Sequence, residues 1–386
     1  MTEETRLIHS GLAQTPLART VGPPIQRGST VLLPNAASLY DDDAQVTYGR
    51  QGLAAHQALI SALAELEHAR GVTLYPSGLA ALTGALLAVL KAGDEILVVD
   101  CVYKPTRRFC DRVLRRFGIQ VRYFPPQLGA EALMAICGPS TRLILLESPG
   151  SLSLEFQDVP AIAAAACQRG ILTLIDNTWA AGWLFKPLDH GVDISVQALT
   201  KYVGGHSDVF MGSAAAKDPK VVEALDAGVL DIGWAVSPDD AYQMLRGLRT
   251  LPTRMARHDQ SARRIAAWLS ERPEVASVLH PALPGTPGGE IWRRDFSGAC
   301  GLFAFTLKSA SPPATAAFLD ALELFGLGFS WGGFESLAID CVPQLANRLA
   351  PDAYGGALIR LHVGLEDPED LIADLLRGFA AWGAAA

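Results

Sequence analysis

The stretch SVQALTKYVGGHSD (195–208) places a lysine, Lys201, at the end of a run that alternates apolar and small residues as a buried strand does. Lysine is among the residue types least often fully buried. In a partly desolvated pocket it loses preference for its ammonium form, and the free amine can attack a carbonyl. Taken alone, a lysine at a strand end ordinarily snorkels to solvent. Upstream, ILTLIDNTWAAG ends a β-branched apolar run in Asp176. Ligands of open α/β sheets sit at the carboxyl ends of the strands, so two strands ending together would aim Asp176 and Lys201 into one crevice; by itself Asp176 reads as a cap or turn residue. A third feature is YPSGLAALTGAL (75–86), a strand followed by Ser77-Gly78 and a helix whose first N–H groups would face an anion. Gly78 permits close backbone approach, and the Thr200 hydroxyl beside the lysine offers another donor, although a PSG turn before a helix is also an ordinary N-cap. Together these are the parts a pyridoxal phosphate site needs. A lysine holds the aldehyde, a carboxylate keeps the pyridine nitrogen protonated so that the ring accepts electrons, and a cradle holds the phosphate.

Such residues need a sheet to position them. From about residue 53 to 216 the chain alternates helix-like and strand-like segments, which predicts βα units and a mostly parallel sheet. The strand pattern falls on 72–75, 95–99, 120–124, 143–147, 172–176 and 193–199, and the helical pattern on 54–69, 79–91, 105–117 and 159–168. The last helix opens after Asp158 as N-cap and stops at Gly170. A long helical stretch over 238–271, broken around Pro252, leads into the loop PALPGTPGG (281–289). Beyond it, 299–307 and 357–363 alternate like strands while 314–324 and 368–380 read as helices, a smaller C-terminal α/β unit. The first 50 residues carry four prolines and little periodicity, as an extended arm would. The expected organisation is an arm over 1–52, a cofactor-binding α/β domain over 53–250 and a C-terminal domain over 251–386.

Composition narrows the class further. The chain has 386 residues, is 49% hydrophobic and carries a net charge of −8. That balance supports a large core and disfavours nonspecific attraction to nucleic acid or anionic membrane. Apolar runs such as 79–90 are interrupted by Thr83 and Gly84 and are too short to span a bilayer. The opening MTEETRLIHS lacks the basic start and apolar run of an export signal, so the cytoplasm is the expected compartment. Cys101, Cys110, Cys137, Cys167, Cys300 and Cys341 show no paired metal-ligand spacing, so free thiols and no metal are expected. The basic residues at 107–108 and 112–116 read first as a solvated helix face.

The chain also resembles the cysteine/methionine-metabolism family of pyridoxal-phosphate enzymes, in its bacterial carbon–sulfur β-lyase branch. The matching stretches are TYGR (47–50), YPSGLAA (75–81), LESPGS (146–151), IDNTWAAG (175–182), LTKYVGGHSD (199–208), LRGLRT (245–250), LHPALPG (279–285), SWGGFESL (330–337) and IRLHVGLED (359–367). They are collinear over roughly residues 45 to 375. The resemblance implies a fold-type-I architecture, a mostly parallel sheet with helices on both faces. It implies that Lys201 holds pyridoxal 5'-phosphate and works as base and acid, that Asp176 pairs with the pyridine nitrogen, and that Ser77, Gly78, Leu79 and Thr200 hold the phosphate. Tyr103 would stack on the ring, and Arg360 would grip the substrate carboxylate with Ser330 and Trp331 beside it. Tyr48 and Arg50 match residues that a neighbouring subunit contributes to the phosphate; Tyr48 also stands with Lys201 and Tyr103 in catalysis and with Arg360 at the substrate. The arm would then lie against another subunit, in a homo-oligomer that is at least a dimer and, as is usual in the family, a tetramer.

The implied reaction is β-elimination from cystathionine or a related cysteine S-conjugate, a small sulfur amino acid, giving a thiol such as homocysteine, pyruvate and ammonia. The alternatives are a γ-lyase or γ-synthase of the same family, a desulfhydrase acting on cysteine or cystine, and a regulatory protein that binds the cofactor without catalysis. No GxGxxG after a first strand, GxxxxGK[ST], GxSxG or HExxH supports a nucleotide-binding or hydrolytic reading. Two departures from the family pattern stand out. Ala198 occupies a position where many members carry a phosphate-binding serine, as expected of the β-lyase branch. Lys104 and Arg108 stand where similar β-lyases carry acidic residues, so substrates lacking the distal ammonium of cystathionine are expected to be tolerated or preferred.

Overall fold

The computed structural model describes residues 1–11, 20–40, 46–308, 311–355 and 357–385. The apolar runs of the first half become the strands β1 (Gly71–Tyr75), β2 (Glu95–Val99), β3 (Gln120–Phe124), β4 (Thr141–Glu147), β5 (Leu172–Asp176), β6 (Ile194–Gln197) and β7 (Gly212–Ala216). They form one sheet in the order β1-β7-β6-β5-β4-β2-β3. Neighbours from β3 through β6 pair in parallel, and β7 runs antiparallel between β6 and β1. Helices Ala54–Glu67, Gly78–Val89, Val159–Gln168 and Pro219–Ile232 pack on this sheet around one large apolar core, as expected of βα units whose strands are buried on both sides. The α/β class and the helix-covered, mostly parallel sheet are as expected.

The sequence pattern does not reveal β7. Its residues are GSAAA, which have little strand propensity, and all are buried. Packing explains them: a Cβ on Gly212 would lie 2.4 Å from the Ser77 carbonyl oxygen, so only the smallest residues fit beside the turn that opens helix Gly78–Val89. The helix expected over 105–117 is also more irregular than a single pattern suggests. It begins as an α-helix over Lys104–Phe109, widens to a π-turn over Cys110–Leu114 and tightens to a 3₁₀ turn over Arg115–Phe117.

The second sheet contains β8 (Val275–Leu279), β9 (Leu302–Leu307), β10 (Gly326–Leu327), β11 (Leu337–Asp340) and β12 (Leu358–His362), in the order β10-β11-β12-β9-β8. Helices Pro312–Asp320 and Pro368–Ala385 supply its apolar partners, with Phe305, Phe318 and Phe379 in mutual contact. Helix Leu251–Ser270 joins the two cores: Leu251 and Met255 belong to the first, Ile265 and Leu269 to the second.

The arm expected over 1–52 is extended only in part. Residues Glu3–His9 form a helix capped by Thr2. It lies on the chain's own body, where Leu7 is buried and Arg6 pairs with Glu65 at 2.7 Å. Between residues 20 and 40 the chain leaves large apolar side chains uncovered, with Leu32 92% and Tyr40 89% exposed.

Candidate active site

Parallel pairing brings the ends of β4 and β5 level, with Glu147 directly opposite Asp176. Asp176 is held by Thr178, whose N–H donates to Oδ1 at 3.1 Å and whose hydroxyl donates to the same atom. The Thr178 oxygen in turn accepts from the Ala198 N–H at 2.9 Å, which ties the end of β5 to the turn after β6. Burial pushes the Asp176 carboxyl up, while the two Thr178 bonds and the Lys201 charge pull it down. Glu147 receives no comparable relief. Burial and the Asp176 charge raise it well above the usual carboxylate range, with the Tyr103 N–H, 2.7 Å from Oε2, the one donor to its side chain among the described residues. Two adjacent carboxylates cannot both ionise cheaply; burial leaves Asp176 too above its usual range, but its two Thr178 bonds and the Lys201 charge make it the better placed of the pair to carry the negative charge.

Lys201 stands one turn beyond β6, its N–H donating to the Ala198 carbonyl at 3.1 Å. Its Nζ donates to Ser330 Oγ at 2.8 Å and lies 5.4 Å from the centre of the Trp331 ring. Burial and the nearby Arg360 charge lower its pKa to about 8, against smaller upward pulls from Asp176 and Glu335. At neutral pH about one such amine in ten is therefore uncharged, against a few in ten thousand for an ordinary lysine. The turn that presents it packs closely: Gly332, at φ +85°, would bring a Cβ to 2.9 Å of the Lys201 backbone.

Ser77, Gly78 and Leu79 open their helix onto the same cavity, which has a volume of about 250 Å³ and is also lined by Tyr103, Glu147, Asp176, Thr178, Ala198, Thr200, Lys201 and Trp331. The first-turn N–H groups of any helix lack acceptors within it. The Ser77 hydroxyl accepts from the Ala80 N–H at 3.1 Å and so serves as the cap. The Thr200 hydroxyl hydrogen goes to the Met211 carbonyl at 3.1 Å. What remains for an anion is the helix N-terminus itself. A Cβ on Gly78 would meet the Ala198 Cβ at 2.3 Å, so the cradle requires both small residues. Arg360, on β12, is 4% exposed and donates to the carbonyls of Ser151 at 3.2 Å and Phe329 at 2.9 Å, with no carboxylate partner among the described residues. A lysine with a lowered pKa, an aspartate fastened at a strand end and an anion cradle around one cavity fit a phosphorylated pyridine aldehyde. Among the described residues no group of His, Cys, Asp and Glu is placed to hold a metal.

The family model for Cys/Met metabolism PLP-dependent enzymes matches residues 4–380. The chain belongs to that family. It is accordingly a pyridoxal-phosphate-dependent enzyme. It is 41% identical over 388 residues to cystathionine beta-lyase MetC of Escherichia coli, covering 98% of each chain. Among solved structures, it resembles a cystathionine gamma synthase of Xanthomonas oryzae in complex with cystathionine (TM-score 0.93, 31% identity, 100% of each chain). A cystathionine gamma-lyase of Lactobacillus plantarum complexed with L-serine is similarly close (TM-score 0.92, 32% identity, 99% of this chain and 100% of the other).

Of the residues expected at this family's site, Lys201, Asp176, Ser77, Gly78, Leu79, Thr200, Tyr103 and Trp331 line one cavity, with Ser330 bonded to Lys201. Arg360 lines the adjoining one with Tyr103. Tyr48 and Arg50 line neither. Tyr48 is half-exposed, and the Arg50 guanidinium donates to the Leu230 carbonyl at 2.6 Å. Two residues of the site were missed by motif reading. Thr178, two places after Asp176, had the signature of a side chain that bonds back across a tight turn. Glu147 had none until the register set it beside Asp176.

Proposed function

We propose that this enzyme is a carbon–sulfur β-lyase that releases a thiol, pyruvate and ammonia from cystathionine or a related cysteine S-conjugate. The observation that carries the reading is the convergence of Lys201, Asp176 and the Gly78 cradle on one cavity, with Arg360 at its border. The E. coli relative, a named cystathionine beta-lyase, supports it.

In this reading the cofactor, when bound, supplies the electron sink. Asp176, fastened by Thr178, would hold a proton at the pyridine nitrogen. Arg360 takes the substrate α-carboxylate, exchanging backbone carbonyls for a charge-assisted pair. Lys201 Nζ, in its uncharged form, would remove the α-proton and return a proton to the departing sulfur, so that one positioned group serves both transfers. Ser330 orients that amine through the 2.8 Å bond.

Tyr48 and Arg50 lie outside the cavity of their own chain, and Val21, Leu32, Leu39 and Tyr40 of the 20–40 segment lack cover. Both facts support a homo-oligomer, at least a dimer and by family habit a tetramer, in which each arm completes a neighbour's site. We also place the enzyme in the cytoplasm, on its composition; no described helix is long and apolar enough to cross a membrane.

Product analysis with cystathionine tests the reaction. Pyruvate with homocysteine is expected, Lys201→Ala should release neither, and 2-oxobutyrate would favour a γ-lyase instead. For the shared site, mixing Lys201→Ala with Arg50→Ala chains should restore part of the activity each lacks alone. Failure to complement would argue that each chain works unaided.

A further inference from the structure

A second cavity, of about 360 Å³, adjoins the first, shares Tyr103, Ser151 and Phe329 with it, and is also lined by Arg360. A substrate whose α-carboxylate reaches Arg360 would extend its sulfur substituent toward this space. One wall is the helical segment after Tyr103, with Lys104, Arg107, Arg108 and Arg112. Arg107 is neutralised, bonded to the buried Asp100 and lying over the Tyr123 ring at 3.7 Å. Asp111, the carboxylate lining the cavity, is engaged by the Tyr123 hydroxyl at 2.9 Å and by Arg115 at 3.4 Å. Lys104, Arg108 and Arg112 have no carboxylate partner among the described residues. Lys104 and Arg108 are four apart in one helix, where like charges repel. Gln344 also lines this cavity, and its side-chain nitrogen is buried with no acceptor among the described residues. Three cations without a carboxylate partner thus line a cavity that shares residues with the reaction site, a lining that favours an anion, and the Gln344 amide adds a donor without an acceptor.

We propose that this cavity selects conjugates whose sulfur substituent ends in an anion, a carboxylate being the simplest, and that a distal ammonium weakens binding. The inference rests on the β-lyase reading for the placement of the sulfur. Cystathionine carries both distal charges, so the cations favour half of its tail and oppose the other half.

Three conjugates of one tail length separate the contributions: cystathionine, S-(3-carboxypropyl)-L-cysteine without its distal amine, and S-(3-aminopropyl)-L-cysteine without its distal carboxylate. Rapid mixing with the holoenzyme gives each Kd from the first change in cofactor absorbance, whichever bond later breaks. The carboxypropyl compound should bind about tenfold more tightly than the aminopropyl one, as expected for about 1.4 kcal/mol of partly screened charge attraction. Cystathionine should fall between them. Within the double variant Lys104→Gln with Arg108→Gln, the ratio should fall below about threefold, and Arg108→Glu alone should move it the same way. Equal binding of the two single-charge tails, or a ratio unmoved by both variants, overturns the inference. The keto acid released from cystathionine judges the β-lyase reading separately, since pyruvate can appear with any tail preference and a tail preference with any keto acid.

Discussion

Two adjoining cavities manage charge in opposite ways. Around Lys201 every ionisable group is partnered or pushed toward neutrality: the lysine to about 8, Glu147 toward its acid form, Asp176 fastened by Thr178. Along the helix after Tyr103, Lys104 and Arg108 are exposed and unpaired among the described residues. The contrast separates reactivity from selection. Desolvation makes an amine reactive, and a reactive amine must be hidden. Exposed cations keep their charge and can sort substrates by the charge of the tail. Tyr103 is the hinge between the two, touching both cavities.

The comparison breaks first at Lys201. Lys201→Ala should lower keto-acid release at least about 10³-fold, since one residue supplies both proton transfers; a loss below tenfold, measured on protein reconstituted with the cofactor, would move the base elsewhere. Next comes Arg360→Gln, which removes a charge-assisted grip of about 1.5–3 kcal/mol and should raise KM about ten- to a hundredfold, with a smaller change in kcat. The third test is of pH. Because burial lowers the Lys201 pKa to about 8, the amine is mostly charged below that value and mostly free above it. The initial rate at which cofactor-free protein takes up pyridoxal phosphate should therefore rise about tenfold from pH 6 to 7 and level off above about 8. A rise continuing to pH 10 would show an ordinary lysine. The smallest effect lies in the outer cavity, where Lys104→Gln relieves a like-charge pair and should stabilise the fold by about 0.2–0.5 kcal/mol. A fall in stability, read from denaturant midpoints, would mean that Lys104 has a partner.

How much of this was legible differs by element. Strands β1 to β6 were, because apolar runs bounded by turns leave little choice. The all-small β7 was not, since its residues are dictated by the approach of the Gly78 turn, which only the three-dimensional packing shows. Lys201, Asp176 and Gly78 were readable as a set because the cofactor needs all three. Glu147 was invisible for the opposite reason: its significance comes from a neighbour across the sheet. Lys104 and Arg108 could be placed near the substrate tail only through the family resemblance; that they line a cavity without a carboxylate partner took the packing of the described residues to show. The helix at residues 3–9 was obscured by its length, too short to show a period.

Helix Leu251–Ser270 contributes its first turns to one apolar core and its last turns to the other. Neither sheet can lose its packing without stripping one end of a helix that the other still holds. The shared helix couples the two sheets, and a calorimetric trace of the cofactor-free protein should contain one transition; two separated transitions would show that the sheets melt independently.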